Sequence, residues 1–170
     1  QFNAFKALEP GDNRGQDGAT SSETSQQWKD KPTKYKVENV AALNTKYFDF
    51  AVATSNLEKN TLYFTSSRAE ASGNKNDAWY GEKFYDIFKS AQDNNGKWSI
   101  PTPISEVINT AASEGAMTFD AKGNVMYFTR CQKSDEKGKE GQCKIYKSVY
   151  DGAKWGTPEL LPFNSDNYTC

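Results

Sequence analysis

The 170-residue sequence contains no histidine, and this absence excludes several kinds of chemistry. Histidine is the commonest general base near neutral pH and the commonest ligand of transition metals. A Ser/His/Asp or Cys/His catalytic arrangement therefore cannot be assembled from this chain alone. Cysteine is scarce too, with Cys131, Cys143 and Cys170 only. Because no two cysteines lie close in sequence, a zinc site is not expected, and we predict no metal and no cofactor.

The sequence also lacks an excess of one charge and any long apolar segment. Its 21 basic and 22 acidic residues are interleaved, which is unlike the basic surface of a nucleic-acid-binding protein. No apolar run approaches the roughly 20 residues that span a bilayer. Gln1 opens a polar stretch rather than a signal peptide, so we expect a mature chain or a piece of a longer protein.

Aromatic residues are abundant, and they recur in a repeated pattern. The motif Leu43-Asn44-Thr45 returns as Ile108-Asn109-Thr110 and again as Phe163-Asn164-Ser165. Between these copies lie the matching segments Leu62-Tyr63-Phe64-Thr65 and Met126-Tyr127-Phe128-Thr129. Trp98 and Trp155, each followed three residues later by proline, lie 57 residues apart. A repeat of this length, built from short alternating segments, indicates stacked or radial repetition of β-sheets.

The pattern predicts two regions. Residues 1–34 are expected to form a helical leader, with one helix that ends at Glu9-Pro10-Gly11 and a second over residues 21–31. Residues 35–170 are expected to be all-β, with an outermost strand at residues 37–41 and two four-stranded units at about 48–109 and 116–164. Their expected strands are residues 48–54, 61–66 and 84–91 and a fourth from Trp98, then residues 116–119, 125–130 and 144–150 and a fourth around Trp155. Four antiparallel strands in about 55 residues describe one blade of a β-propeller.

Such a meander predicts where a partner would bind. The long loops at residues 69–83 and 132–142 should lie at the end of the sheets that also carries the Asn-Thr/Ser links. Trp79 and Tyr80 are the expected partner-binding residues, because large amphipathic side chains on a loop make good anchors. The alternative is that they fold back over the edge of the blade. Trp98 and Trp155 are expected to pack between blades.

Cys131 and Cys143 flank the loop between two predicted antiparallel strands. A disulfide that closes this hairpin is geometrically plausible, and two separate thiols are the alternative. Oxygen-rich turns such as Asp93-Asn94-Asn95 and Asp135-Glu136 could contribute to a calcium site. Ordinary hairpin-turn chemistry is the simpler interpretation of these residues.

Residues 35–170 resemble the WD-like or TolB-type propeller repeat, on the strength of Asp120, Gly123, Tyr85-Asp86-Ile87-Phe88-Lys89-Ser90 and the aromatic segments above. The leader, with Trp28 before Pro32, is similar to the end of a tetratricopeptide array. That order is typical of OmpA-family proteins at the outer membrane, including a periplasmic component of the type IX secretion system. This resemblance implies a partial propeller of two blades and the start of a third.

The resemblance implies a non-enzymatic periplasmic scaffold, associated with the outer membrane, in an envelope or secretion complex. Its expected partners are proteins of that complex and the remaining blades from the same or another chain, with peptidoglycan bound only through domains absent here. A carbohydrate- or peptide-binding propeller is the alternative. A sialidase-type glycosidase is less favoured, because its carboxylate pair would have to come from Asp49, Glu114 and Asp120.

Overall fold

A computed structural model describes residues 1–73, 76, 81–132 and 142–169. The chain divides into two compact units, Gln1–Asn39 and Val40–Cys170. The first is helical and the second is built from β-strands. In the described part of the chain, no helix combines the length and the apolar character needed to cross a membrane.

The first unit is a pair of helices, α1 (Phe2–Leu8) and α2 (Asn13–Asp30). The first helix ends where the sequence predicts, but α2 begins eight residues before the predicted start at residue 21. Asp12 caps it, because its carboxylate accepts a hydrogen bond from Arg14 N at 2.9 Å. Gly18 lets the helices approach closely, since a Cβ at this position would lie 2.2 Å from the Phe2 ring.

The second unit contains two antiparallel four-stranded sheets, each with its strands in chain order. The first sheet comprises β1 (Asp49–Thr54), β2 (Thr61–Ser66), β3 (Asp86–Ala91) and β4 (Thr102–Pro103). The second comprises β5 (Ser113–Phe119), β6 (Val125–Cys131), β7 (Cys143–Val149) and β8 (Glu159–Leu160). The predicted β-rich class and the two four-stranded sheets are therefore confirmed.

Three of the predicted strands are wrong in place or existence. Residues 37–41 form no regular strand, and all five are exposed, so they lack the half-buried face that stabilises a strand. The fourth strands do not begin at the tryptophans, which make only isolated bridges with Gln92 and Tyr150. Regular pairing starts beyond Pro101 and Pro158, whose nitrogens cannot donate to a ladder.

Each sheet has two faces that differ in composition, because side chains alternate along a strand. We call the face with Tyr63 and Ile87, or with Tyr127 and Ile145, the Tyr face. The opposite face is the Phe face, which carries Val52, Leu62 and Phe64 in the first sheet and Met117, Met126 and Phe128 in the second. The Tyr face of the first sheet packs on the Phe face of the second, and their contact forms the main core.

The two sheets share a local backbone irregularity in their first strands. Pairing shifts after Phe50 in β1 and after Gly115 in β5. The next residue in each case, Ala51 or Ala116, adopts a positive φ of about 50°. This conformation is uncommon for a residue with a Cβ. The same bulge in both strands shows that the repeat extends to the backbone conformation.

Candidate functional site

The most highly connected polar group of the first sheet is the carboxylate of Asp49, at the start of β1. Its Oδ2 accepts hydrogen bonds from Thr45 N at 2.6 Å and Thr45 Oγ1 at 2.7 Å. Its Oδ1 accepts from Ser66 Oγ at 2.6 Å and from Arg68 Nη2 at 2.7 Å. Arg68 Nη2 also donates to Leu43 O at 2.8 Å. This acid–arginine cluster fixes the link that enters the sheet.

The second sheet repeats the acid–arginine cluster around Glu114. The carboxylate accepts from Thr110 N at 3.0 Å, from Thr110 Oγ1 at 2.6 Å and from Arg130 Nε at 2.8 Å. Arg130 Nη2 donates to Ile108 O at 2.8 Å, as Arg68 does to the equivalent Leu43. Thr and acid are four residues apart in both copies, so the same chain geometry serves both links.

Aromatic rings hold the two guanidinium groups in place. Arg68 Cζ lies 4.8 Å from the ring centroid of Phe64 and 5.0 Å from that of Phe88. Arg130 Cζ lies 5.0 Å from the ring centroid of Tyr146. A cation over an aromatic face gains electrostatic attraction, which grows when water is excluded. Arg68 and Asp49 are both buried, so the pair is stable only because each group is also hydrogen-bonded elsewhere.

Asparagines of the links close the sheets from the side of the third strand. Asn109 accepts from Ile87 N at 3.0 Å and donates to Ile87 O at 2.9 Å. Asn164 makes the same pair of bonds with Ile145, at 2.9 and 2.8 Å. The carboxamide thus takes the place of one more strand residue. This explains why asparagine recurs in the repeated motif.

The carboxylates considered for catalysis are engaged in holding the backbone. Burial opposes ionisation of Asp49, but hydrogen bonds from Ser66, Arg68 and Thr45 outweigh it and lower its pKa. Asp120 is tied into the turn between β5 and β6, and hydrogen bonds from Val125 N and Gly123 N lower its pKa. Glu114 is saturated by its own cluster. Asp49 and Glu114 therefore serve buried clusters, and Asp120 Oδ1 holds its own turn.

Asp86 is the buried carboxylate that stands apart. Its Oδ2 accepts from Ser72 N at 2.6 Å, whereas its Oδ1 has no hydrogen-bond partner among the described residues. Burial raises the pKa of Asp86, and the nearby Glu114 adds to the effect. The corresponding residue of the second sheet is Lys144, which contacts Asp166 in the following link. The position is therefore polar in both sheets but opposite in charge.

The described ends of both long loops lie near the links, as the predicted meander requires. A Cβ on Gly73 would lie 3.5 Å from Ala111 Cα, and Gln142 Nε2 donates to Asp166 O at 2.6 Å. We call this surface, formed by the loop ends and the links at residues 109–113 and 164–169, the link face. Trp79 and Tyr80, predicted to bind a partner there, lie outside the described residues.

A disulfide joins Cys131 to Cys143. The two residues are directly opposite each other at the ends of β6 and β7, so the bond closes the hairpin at the base of its loop. Cys170 lies outside the described residues. No cluster of potential metal ligands occurs in the described ranges, and Asp93 Oδ1 accepts from Asn95 N and Lys97 N within its own turn.

The two tryptophans of the repeat differ in their surroundings. Trp155 is buried and packs near Phe119, at 6.0 Å between ring centroids, and Tyr150, at 5.3 Å. It belongs to the core between the sheets, as predicted. Trp98, at the equivalent position of the first sheet, is only half-buried. Within the described ranges, the corresponding side of the first sheet carries no second sheet.

Comparison with known proteins assigns no family: no family model, no curated protein and no solved structure matches the chain. The acid–arginine clusters were not predicted from the sequence as sites. The signal was present, because Thr45 and Asp49 have the same spacing as Thr110 and Glu114. The arginines do not repeat with the same spacing, because Arg68 follows Phe64 by four residues whereas Arg130 follows Phe128 by two.

Proposed function

We propose that this chain is part of a β-propeller that serves as a non-enzymatic periplasmic scaffold in an outer-membrane-associated complex. The observation that carries the proposal is the stacking of two equivalent four-stranded meanders, the Tyr face of one on the Phe face of the other. Stacked meanders are the building principle of propellers. The remaining blades would come from the same chain or from another.

A scaffold role is supported by the way the sheets use their charges. The buried acid–arginine pairs and the link asparagines all hold backbone segments, so they stabilise a rigid frame. The link face then presents the ends of long polar loops on that frame, which is where binding residues commonly lie. The resemblance to OmpA-family proteins, and most of all to PorE, favours protein partners of a type IX secretion or related envelope complex. Nucleic acid is not an expected partner.

The proposal can be tested by site-specific photocrosslinking in cells. A photoreactive amino acid would replace Ala111, which is exposed on the link face. The matched control is Lys122, exposed on the turn between β5 and β6 at the other end of the same strand pair. Adducts with envelope proteins from position 111, and few from position 122, are expected. Equal labelling from both positions would contradict a link-face partner.

Cell fractionation of the same strains tests the location. The tagged chain should be found with the outer-membrane fraction. Hydrolysis of aryl glycosides by the purified chain would instead favour the glycosidase alternative. Specific retention of the chain on an oligosaccharide column would favour the carbohydrate-binding alternative.

A further inference from the structure

The Phe faces of the two sheets are equivalent in sequence but differ in what covers them. In the second sheet this face is fully buried by the first sheet, and its apolar residues are Ile108, Met117, Met126, Phe128 and Trp155. The equivalent residues of the first sheet are Leu43, Val52, Leu62, Phe64 and Trp98. Of these, Leu43 and Phe64 are buried, whereas Val52 is 64% exposed and Leu62 and Trp98 are partly exposed. The part of the face around Val52, Leu62 and Trp98 is thus left open.

The Tyr faces show the complementary difference. Tyr63, Thr65 and Ile87 of the first sheet are buried against the second, with exposed fractions of 2% or less. The second sheet carries the same three residue types at the same places: Tyr127, Thr129 and Ile145. All three are partly exposed. The surface that covers a Phe face within the chain is therefore present a second time, without a sheet on it.

The backbone supports the same correspondence. Where the sheets meet, Ala116 N donates to Thr65 Oγ1 at 3.0 Å from its position in the bulge of β5. Ala51 has the same positive φ as Ala116 in the bulge of β1. Thr129, the equivalent of Thr65, would offer the same hydroxyl acceptor to Ala51. The hydrogen bond that fixes the register within the chain could thus be formed between two chains.

We propose that the open Phe face of the first sheet binds the Tyr face of the second sheet of another copy of this chain. A second copy supplies a matching face, because Tyr127, Thr129 and Ile145 of its second sheet are partly exposed. The contact is head-to-tail, because different faces of the two copies meet. It therefore leads to a closed ring or an open stack.

One residue pair departs from the repeat, and this difference predicts a variant that should associate more tightly. The equivalent of Gly115 in the first sheet is Phe50. A Cβ on Gly115 would lie 2.7 Å from Thr65 Cγ2, so the covered sheet needs glycine at this place. The Phe50 side chain would therefore overlap with Thr129 of the other copy unless the residues around Phe50 move. Its replacement by glycine should strengthen the contact between copies.

The test is sedimentation velocity over a concentration series, with circular dichroism to verify that each variant folds. The wild-type chain should associate reversibly, and Phe50→Gly should associate about tenfold more tightly, since relief of an overlap commonly gains at least ~1 kcal/mol. Val52→Asp places a charge on the Phe face, and Tyr127→Glu places one on the Tyr face. Each should be monomeric alone. Val37→Asp, at an exposed position outside both sheets, should behave as wild type.

Mixing the two monomeric variants gives the decisive result. Val52→Asp keeps an intact Tyr face and Tyr127→Glu keeps an intact Phe face, so an equimolar mixture should form a one-to-one dimer that grows no further. The proposal is overturned if the wild type and Phe50→Gly both stay monomeric, if Val52→Asp still self-associates, or if the mixture remains monomeric. The proposal rests on the sheet stacking of the proposed function. If position 111 gives adducts with envelope proteins while the purified chain stays monomeric, the binding of a second copy is rejected and the proposed scaffold function stands.

Discussion

Asp49 and Glu114 occupy the same place in the two repeats, although glutamate is longer by one methylene group. The arginine that meets each acid comes from a different distance along the chain, four residues beyond Phe64 or two beyond Phe128. In both cases the guanidinium reaches the acid and a carbonyl of the link. The geometry of the charges is thus retained while the side chains that deliver them change.

Asp86 shows the other outcome for a buried acid. It lacks a guanidinium partner in the described part of the chain, and burial raises its pKa whereas hydrogen bonds lower that of Asp49. The two carboxyls lie on either side of β2, since Ser66 pairs with both Asp49 and Asp86. Burial is the largest influence on the pKa of each, and hydrogen bonds outweigh it only at Asp49.

The lowered pKa of Asp49 predicts a pH-dependent effect of Asp49→Asn. A carboxyl whose folded pKa lies below its unfolded value stabilises the fold above about pH 4, and this contribution is lost as the pH falls through the folded pKa. At neutral pH the variant should lose about 3 kcal/mol, because Arg68 keeps a buried charge without its partner. The difference from wild type should shrink steadily below about pH 4.

The measurement is the free energy of urea unfolding of both proteins at a series of pH values. The difference between the two removes the titration of other carboxyls, including Asp86. Asp166→Asn is the control, because this side chain is 93% exposed and should contribute little. A difference between wild type and Asp49→Asn that is constant with pH would show that Asp49 is not ionised in the cluster.

At the scale of elements, the turns that join the strands depend on glycines with positive φ. Gly123, between β5 and β6, has a φ of 83°, and Gly152, beyond β7, has a φ of 103°. Their surroundings differ. A Cβ on Gly123 would lie 2.3 Å from Ser55 Oγ of the first sheet, whereas nothing lies within 4 Å of one on Gly152. The turn at Gly123 is therefore also part of the contact between the sheets.

Alanine at these two glycines should separate backbone strain from steric overlap. Gly152→Ala forces alanine into the left-handed conformation, which should lower the free energy of unfolding by about 1–2 kcal/mol. Gly123→Ala adds the displacement of Ser55 to the same strain, so a loss of about 3 kcal/mol or more is expected. Chemical unfolding of both variants measures the costs. Equal destabilisation would mean that the sheets separate at this turn without penalty.

The inner strands could be predicted from the sequence, and the outer strands could not. Residues 61–66 form β2 as predicted, because a run of aromatic and β-branched residues between turn residues has few alternatives. The outer strands could not be placed, since Trp98 and Trp155 have strand-forming side chains and yet stand before prolines that delay pairing. Helix α2 was predicted too short because Gly15 and Gly18 indicate a weak helix, while close packing on α1 requires them.

At the scale of the molecule, the repeated motif predicted that sheets would stack, but not which face would stay open. Alternation assigns Tyr63 and Phe64 to opposite faces of the sheet, and both faces are apolar. Which face is buried depends on the position of the second sheet, and no local sequence pattern predicts that position. The acid–arginine clusters likewise join residues 19 and 16 apart in sequence, on two different strands or just beyond them. Such contacts follow from the tertiary fold, so they become visible only with it.

The Cys131–Cys143 disulfide acts on the stability of the whole unit. It closes a loop with a sequence separation of 12, so it removes conformational freedom mainly from the unfolded chain. Replacement of both cysteines by alanine should lower the free energy of unfolding by about 2–3 kcal/mol. Reduction of the wild type by dithiothreitol should produce the same loss, while the double variant should not respond to the reductant. The same urea midpoint with and without reductant in the wild type would show that the hairpin is equally constrained without the bond. A loss in the wild type alone would show that the disulfide itself stabilises the second sheet.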